Sequence, residues 1–391
     1  MQTRDWSKTS RTTFILSDIM KITAPGKLML SGEWSVLENE VPCIVMSIDQ
    51  KVSVEIFESK EINFSTIGNP LKAKAFFKNK KLTVNGNENE KAFYLFVEKA
   101  SEATLNYLEE SNILIKNFSI VTNSSDTLVT LKDGKKAKVG FGSSAAIVSA
   151  TIAAILNFHG QEISSLSAKE TIYKLGCIAH YLAQGKLGSS FDVAASTYGG
   201  VLKYQKPDMN FILKKIEENT KIKDLIEMPW PYFIAEPINL PDNFLLSIGF
   251  VGYSASTKEL ITKIKEFKKE NEKEYSQIIN KIKGVTLNLE IALKNNEKEK
   301  IIELLKENRI LLKELNDKSK NNLETTELSI LANIAEKNNA AGKFSGAGGG
   351  DCGIAISFEE SVKEKIENEW AKNNIYLINA NISKKGVVSQ C

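Results

Sequence analysis

The chain has 391 residues, of which 42% are hydrophobic and 25% are charged, and these proportions are ordinary for a globular protein. A chain of this length is expected to form two domains. The formal net charge of only +3 gives no reason to expect a nucleic-acid or membrane partner, and the four widely spaced cysteines and two histidines argue against a disulfide framework or a zinc site.

The first residues do not resemble a signal peptide, because they are polar and basic with only a short apolar patch at residues 14–16. Met20-Lys21-Ile22-Thr23 is typical of a natural start, so residues 1–19 are interpreted as an extension or an alternative start. No apolar stretch is long enough to span a bilayer without polar interruption. These features predict a cytoplasmic protein.

Hydrophobic periodicity predicts mixed strands and helices in the first half of the chain. Residues 43–57 are rich in β-branched side chains and alternate in their second half, which is typical of a strand. Residues 91–107 carry apolar side chains at helical spacing. The same criteria predict a strand at 118–121, helices at 143–156 and 168–184, a short helix between Gly188 and Gly199, and a strand at 201–204.

A glycine-rich segment, Gly-Phe-Gly-Ser-Ser at 140–144, directly precedes the apolar run 145–156, which predicts a buried helix. The start of a helix offers unpaired N–H groups and the positive end of a dipole, and this combination binds phosphate. Glycine also allows a ligand to approach the backbone closely. The segment therefore predicts a phosphate site, although a serine-capped helix after a tight turn would give the same pattern.

The second half begins with a composition shift near Pro207, and Pro229-Trp230-Pro231 cannot lie inside a helix. The pattern then predicts a strand at 244–251, long charged helices between 258 and 337, a strand at 352–358, and a final helix and strand ending at 382. Strands and helices do not alternate strictly, so the fold class is predicted to be α+β. We expect one domain at 20–215 and a second at 216–391.

Three glycine-rich segments occur in a fixed order: Pro-Gly-Lys at 25–27, Gly-Phe-Gly-Ser-Ser at 140–144, and Ser-Gly-Ala-Gly-Gly-Gly-Asp at 345–351. The chain has neither a P-loop motif nor a dinucleotide-binding fingerprint. The order and spacing of the three segments resemble the GHMP kinase superfamily of small-molecule kinases. The resemblance implies an N-terminal domain like ribosomal protein S5 domain 2, a ferredoxin-like C-terminal domain, and ATP and acceptor meeting between them.

Within that superfamily, the resemblance is closest to the phosphomevalonate kinase branch. It extends from about Met20 to the C-terminus and rests on residues 185–200, on Trp230-Pro231 with residues 249–257, and on residues 345–353. It implies transfer of phosphate from ATP, with Mg²⁺, to 5-phosphomevalonate, which gives 5-diphosphomevalonate for isoprenoid synthesis. Mevalonate kinases carry a metal-binding Glu upstream of their catalytic Asp, whereas residues 178–184 offer no carboxylate. Another GHMP kinase with an alcohol acceptor, such as mevalonate kinase, and a catalytically inactive ligand-binding relative remain as alternatives.

The resemblance also implies roles for individual residues. The implied catalytic residues are Asp192, Lys138 and Lys27. The implied ATP-binding residues are Gly140, Gly142, Ser143, Ser144 and Ala145, with Ser144 also contacting Mg²⁺. The implied substrate-binding residues are Ser31, Ser189, Ser190, Gly346, Ala347 and Gly348.

For several of these residues, the local sequence also fits a purely structural role. Asp192, Ser189 and Ser190 could cap a helix, and Lys138 could be one more exposed lysine. Asp192 is either a base or an orienting charge, because an acceptor phosphate with a second pKa of about 6 is largely ionised at neutral pH. His180 is interpreted as a core or surface histidine rather than a catalyst, and Arg309 is placed on a solvated helix face.

Overall fold

The computed structural model describes residues 19–185, 188–253 and 257–390. The N-terminal residues 1–18 and the motif residues 186–187 and 254–256 lie outside these ranges. The strands are β1 (Met20–Ser31), β2 (Cys43–Glu58), β3 (Ile62–Thr66), β4 (Asn69–Lys78), β5 (Lys81–Asn85), β6 (Phe118–Asn123), β7 (Leu128–Thr130), β8 (Lys136–Lys138), β9 (Val201–Gln205), β10 (Ile234–Pro237), β11 (Leu245–Phe250), β12 (Ala341–Phe344), β13 (Cys352–Ser357), β14 (Tyr376–Ile378) and β15 (Val388–Gln390).

The helices confirm most of the predicted periodicities, with boundaries that differ by a few residues. They are α1 (Glu88–Glu110), α2 (Ser143–Phe158), α3 (Leu166–Ala183), α4 (Phe191–Tyr198), α5 (Met209–Glu217), α6 (Ile222–Glu227), α7 (Thr257–Glu270), α8 (Glu272–Lys294), α9 (Lys298–Lys318), α10 (Thr326–Lys337) and α11 (Glu360–Lys372). None of the helices in the described ranges combines the length and the apolar composition needed to cross a bilayer.

The first unit is built on one large sheet. In the described ranges its strands follow the order β10-β9-β2-β6-β3-β4-β5, and β1 lies between β2 and β15. All pairs are antiparallel except β3 with β6. The sheet therefore joins strands from both ends of the described chain, because β15 pairs Gln390 with Lys21 and Val388 with Thr23.

Strand β1 was not predicted, because a Pro-Gly pair interrupts its pattern. The structure accommodates the pair at a shift in the register of β1 against β2, between Pro25 and Gly26. Proline lacks the N–H that a regular ladder needs, so a bulge is a position that tolerates it. Beyond the shift, the Lys27 N–H donates to the Phe141 carbonyl oxygen at 2.8 Å. This bond brings the first glycine-rich segment against the second.

The second unit has the strand order of a ferredoxin-like fold. Strands β12, β13, β11 and β14 lie side by side in that order, and every adjacent pair is antiparallel. Helices α7 to α10 separate β11 from β12, and α11 separates β13 from β14. This is the split βαβ arrangement, and with the large mixed sheet it confirms the predicted α+β class.

The two units share an apolar core. One face of the first sheet packs on α1 to α4, and its cluster includes Val45 and Met29. Neighbouring side chains of the same strands, Leu28, Leu30 and Met46, belong to a second cluster with α8 and α9. Because side chains alternate between the faces of a strand, β1 and β2 contribute to both cores.

The domain boundary lies later in the chain than residue 215. That position falls inside α5, and Ile212, Leu225 and Trp230 pack in the core of the first unit. Strand β10 then pairs with β9, so the first unit extends to Pro237, and β15 returns to it. The composition shift near Pro207 marks the start of two amphipathic helices that cover the first unit, rather than a change of domain.

Arg309 is buried, contrary to its predicted position on a solvated face. Its side chain is 5% exposed, and its guanidinium pairs with Glu324 at 2.6 Å and with Glu336 at 2.7 Å. Burial opposes ionisation, but the hydrogen bonds and charges of these two carboxylates hold the pKa of Arg309 above its ordinary value. The arginine therefore joins α9 to α10 and is not placed for a ligand.

Two glycines of the second unit provide a matched test of how closely α10 packs on β12. A Cβ on Gly342 in β12 would lie 2.7 Å from the Cα of Ala332, whereas a Cβ on Gly284 in α8 meets no heavy atom within 4 Å outside its own helix backbone. We expect Gly342→Ala to lower the free energy of unfolding by about 1–3 kcal/mol, because α10 must move away from the sheet. Gly284→Ala should raise it by up to about 1 kcal/mol. Urea denaturation measures both, and equal effects would contradict the packing.

Candidate active site

A cavity of about 650 Å³ lies where the two units meet. This volume is in the range that holds small-molecule ligands. Its walls come from β1 and the turn after it, the loop before α2, the loop before α4, and the third glycine-rich segment. The predicted residues that line it are Lys27, Lys138, Gly140, Gly142, Ser143, Ser144, Ser189, Ser190, Asp192, Gly346 and Ala347.

The loop before α2 has the backbone geometry of an anion site. Gly142 precedes the helix with φ at 73°, and no described side chain caps this helix start. The Gly140 N–H donates to Asp351 Oδ1 at 2.8 Å, and a Cβ on Gly140 would lie 1.7 Å from the other oxygen of that carboxylate. The second and third glycine-rich segments are thus in direct contact, and the first N–H groups of α2 remain available for a ligand.

Lys27 lines the cavity and is in contact with the loop before α2. The residue is 9% exposed, and its Nζ donates to the Gly140 carbonyl oxygen at 2.7 Å. The same ammonium lies 5.7 Å from the centroid of the Phe191 ring. A Cβ on Gly346 would lie 3.8 Å from this Nζ, so the third glycine-rich segment also faces it. Lys27 therefore places one positive charge between three of the cavity walls.

Asp192 lies in the first turn of α4, opposite the loop before α2. Its Oδ1 accepts a hydrogen bond from the Val193 N–H at 3.0 Å, and its side chain is 17% exposed. Its other oxygen lies 3.9 Å from Nε2 of His180. Within the described residues, neither Lys27 nor Lys138 forms an ion pair with it. The carboxylate is therefore available to a ligand or to a lysine that moves when a ligand binds.

The loop before α4 is held from behind by buried polar groups. Ser190 has φ at 58°, which is unusual for a residue with a side chain. Burial raises the pKa of the Cys177 thiol to about 12, so the thiol stays protonated and donates to Ser190 Oγ at 3.2 Å. The Tyr204 hydroxyl donates to the Ser189 carbonyl oxygen at 2.5 Å. These bonds fix both serines at the cavity wall.

A buried ion pair supports the third glycine-rich segment. Lys343 in β12 donates to Glu33, which follows β1, and both residues are 1% exposed. Burial raises the pKa of Glu33 and lowers the pKa of Lys343, and the charge of each partner opposes the shift of the other. The Glu33 carboxylate also accepts from the Gly346 N–H. The pair therefore connects the two units beside the cavity.

Three predicted residues do not line the cavity. Ser31 is fully buried and its hydroxyl bonds to Thr286 of α8 at 2.8 Å, because the end of β1 turns into the interface between the units. Ala145 is buried inside α2, one residue beyond Ser144, which does line the cavity. Gly348 packs on Leu323, where a Cβ would lie 2.3 Å from a carbonyl oxygen. Lys138 does line the cavity and is exposed at the end of β8.

Sequence reasoning also missed several residues of the site. Glu33 and Trp34 line the cavity, and each has one buried polar side-chain atom without a partner in the described residues. A carboxylate two residues after a predicted site serine was the available signal for Glu33. No sequence signal identifies His180, which lies in the last turn of α3 and contacts the Ser144 hydroxyl from behind the cavity wall.

The donor set of the cavity fits Mg²⁺ bound mainly through a ligand's phosphates. No group of three or more His, Cys, Asp and Glu side chains in the described ranges is arranged to hold a metal. The cavity does offer the Ser144 hydroxyl and the Asp192 carboxylate. Mg²⁺ commonly takes only one or two protein ligands and fills its octahedron with phosphate oxygens and water.

Comparisons with known proteins agree with this geometry. The model of the GHMP kinases N terminal domain matches residues 97–200, and the GHMP kinases C terminal model matches residues 291–375. The chain is 27% identical to the phosphomevalonate kinase of Streptomyces sp. strain CL190 over 89% of this chain and 92% of that protein. It is 31% identical to the mevalonate kinase of Pyrococcus horikoshii over 86% of this chain and 88% of that protein.

Solved structures show the same fold. The Lin0012 protein of Listeria innocua superimposes with a TM-score of 0.85 at 26% identity, over 95% of this chain and 99% of that one. Streptococcus pneumoniae phosphomevalonate kinase, in complex with phosphomevalonate and AMPPNP, gives 0.78 at 23% identity, over 93% and 99% of the two chains.

Removing one partner of the buried ion pair should be costly. We expect Lys343→Met to lower the free energy of unfolding by about 3–5 kcal/mol, because Glu33 would then be a buried charge without a counter-charge. The double variant Glu33→Gln with Lys343→Met should recover most of the loss. Chemical denaturation of the two variants measures the difference. A double variant as unstable as the single one would show that the charge itself is not the cause.

Proposed function

Because the chain belongs to the GHMP kinases, which use ATP, we propose that it transfers the γ-phosphoryl group of ATP to 5-phosphomevalonate. The products are ADP and 5-diphosphomevalonate, in the mevalonate route to isoprenoids. The observation that carries the proposal is the convergence of Lys27, the Gly140–Ser144 loop and Asp192 on one cavity. The similarity to the Streptomyces phosphomevalonate kinase over most of both chains supports this acceptor.

In this proposal the phosphate loop binds ATP. The N–H groups at the start of α2 and the hydroxyls of Ser143 and Ser144 bind the phosphates. Ser144, with Asp192 nearby, is the group that would hold Mg²⁺ together with the phosphate oxygens. When bound, Mg²⁺ supplies positive charge that offsets the charge of the transferring phosphoryl group. Gly346 and Ala347 close the opposite side of the cavity.

In the same proposal, the phosphate of the acceptor binds in the cavity near the start of α4. Ser189 and Ser190 offer hydroxyls beside the start of α4, and Lys138 offers a mobile charge. An oxygen of the acceptor phosphate forms the new bond to the γ-phosphorus, and the bond from that phosphorus to the bridging oxygen of ADP breaks. The acceptor is largely a dianion at neutral pH, since its second pKa is about 6, so no strong base is needed.

Positioning and charge neutralisation then provide the catalysis. Lys27 is held by its hydrogen bond to the Gly140 carbonyl oxygen and lies between the loops that would bind the donor and the acceptor. Its charge can therefore stabilise the phosphoryl group in the transition state. Asp192 orients Lys27 or Lys138 once the acceptor has bound.

Mevalonate is the second candidate acceptor, because the mevalonate kinases of Thermococcus gammatolerans and Pyrococcus horikoshii are 30% and 31% identical to this chain. An alcohol acceptor must lose a proton and would need Asp192 as a base. Among the described residues that line the cavity, the carboxylates are Asp192 and Glu33, and Glu33 is held in its ion pair with Lys343. Asp192 therefore has no second free carboxylate beside it, which favours the phosphate acceptor. The presence of Lys27, Lys138, Ser144 and Asp192 around one cavity argues against an inactive binding protein.

The acceptor can be tested directly. ADP release is coupled to a spectroscopic readout, with ATP and Mg²⁺ and with 5-phosphomevalonate or mevalonate as the only acceptor. We expect turnover with 5-phosphomevalonate and none above background with mevalonate, because Ser189, Ser190 and Lys138 are placed for a phosphate. Turnover with mevalonate alone would assign the chain to the second candidate. ATP binding without turnover would favour the inactive relative.

Lys138 has a matched control in the same segment. We expect Lys138→Met to lower kcat/KM for the phosphorylated acceptor by about 10²-fold or more, because a cation next to transferring phosphate is removed. Lys135→Met should change kcat/KM less than about twofold, since Lys135 is exposed and pairs with Asp133 away from the cavity. Steady-state kinetics with each substrate varied in turn distinguishes the two. Equal effects would remove Lys138 from the proposed site.

A further inference from the structure

A buried histidine lies directly behind two of the proposed site residues. His180 belongs to α3, its side chain is 2% exposed, and it does not line the cavity. Its Nε2 lies 3.2 Å from the Ser144 hydroxyl oxygen and 3.9 Å from Asp192 Oδ2. The first distance is that of a hydrogen bond and the second is too long for one.

The ring of His180 has little freedom to move. It packs on Phe96 of α1, with 5.3 Å between ring centroids and 39° between the ring planes. Neighbouring residues of α3, Cys177 and Ile178, are buried as well. Because the imidazole is held from behind by α1 and by its own helix, the position of its Nε2 is fixed by the protein core.

A fixed Nε2 determines how the Ser144 hydroxyl is oriented. A serine hydroxyl has one donor and two lone pairs, and it rotates to suit its strongest partner. The bond to His180 takes up the hydroxyl hydrogen if Ser144 donates, or one lone pair if His180 donates, and in either case it restricts the rotation. The bond is expected to persist, because a buried imidazole nitrogen without a partner would be costly. The remaining bonding directions of Ser144 are then available on the side of the cavity.

We propose that His180 is a positioning residue for phosphoryl transfer, which holds the Ser144 hydroxyl in the orientation that binds the ATP phosphates and their cation. The inference rests on the proposed function of the Gly140–Ser144 loop. His180 touches neither substrate, so it acts only through Ser144 and through its proximity to Asp192. Outer partners that orient a ligating side chain typically contribute 10–100-fold to affinity or activity.

The other histidine of the chain provides the control. His159 is also buried, but its Nε2 accepts from the Lys116 N–H at 3.1 Å and its Nδ1 lies 2.7 Å from the Ile155 carbonyl oxygen. Both partners are backbone groups, one just before β6 and the other in the last turn of α2, so His159 has a structural role. A phenylalanine substitution at either histidine removes hydrogen bonds from a buried ring of similar size.

The kinetic experiment compares three variants of the full chain. We expect His180→Phe to lower kcat by about 10–100-fold while KM for the acceptor changes little, because Ser144 loses its orientation but the acceptor wall is intact. His180→Gln should recover part of the loss, since its amide can reach the former position of Nε2. His159→Phe should reduce the melting temperature without lowering kcat more than about twofold. Wild-type kcat in His180→Phe would overturn the proposal.

A second measurement does not depend on turnover or on a variant of His180. Wild-type protein labelled with ¹⁵N in its two histidines gives separate imidazole signals, which His159→Phe assigns. Addition of a non-hydrolysable ATP analogue with Mg²⁺ should shift the signals of His180 and leave those of His159 unchanged. If the analogue binds and neither ring responds, the inference fails while ATP binding by the loop stands. If the analogue does not bind at all, the proposed function fails first.

Discussion

The burial of one face of the first sheet against the second unit is the constraint on which the site depends. Leu28 and Leu30 of β1 and Met46 of β2 share a core with α8 and α9, while their strand neighbours face α1 to α4. Each fully buried aliphatic side chain contributes about 1.5–3 kcal/mol, so this interface has no low-energy way to open widely. The cavity is therefore held between two units whose relative position is set by apolar packing.

Electrostatic contacts then set the finer geometry around the cavity. Glu33 and Lys343 join the turn after β1 to β12, and Asp351 joins the third glycine-rich segment to Gly140. Lys27 accounts for a third connection through the Gly140 carbonyl. All three glycine-rich segments, although more than a hundred residues apart in sequence, are thus linked by pairs of charged and backbone groups.

The elements that the sequence predicts correctly are those determined by neighbouring residues. The apolar run after Ser144 and the glycines before it correctly gave a buried helix with an open N-terminus. Strand β1 could not be predicted, because Pro25 breaks its pattern and only the pairing with β2 and the bulge make it a strand. The domain boundary was misplaced since α5 and α6 resemble the charged helices that follow, and only their packing against the first core distinguishes them.

Dependence on distant residues also explains which site residues the sequence predicts and which it misses. Lys27, Ser144 and Asp192 belong to segments with a recognisable pattern, and the structure brings them to one cavity. Ser31 belongs to such a segment too, but its hydroxyl bonds to Thr286 of α8. The sequence around Ser31 gives no indication that a helix of the second unit packs there. In the sequence, Arg309 has polar neighbours and His180 has apolar ones, yet the partners of both come from other segments of the chain. Long-range partners decide whether a polar side chain is solvated, structural or functional.

The pairing of β15 with β1 has a consequence for the order in which the molecule assembles. Lys21 to Thr23 form one edge of β1, and their partners are residues 388–390. During synthesis this edge cannot be covered until residues 388–390 have been made, while domains generally begin to fold from the N-terminus. An uncovered strand edge readily pairs with other chains. The strand that carries Lys27 is thus completed last, and the nascent chain passes through a stage in which chaperone protection of this edge is most valuable.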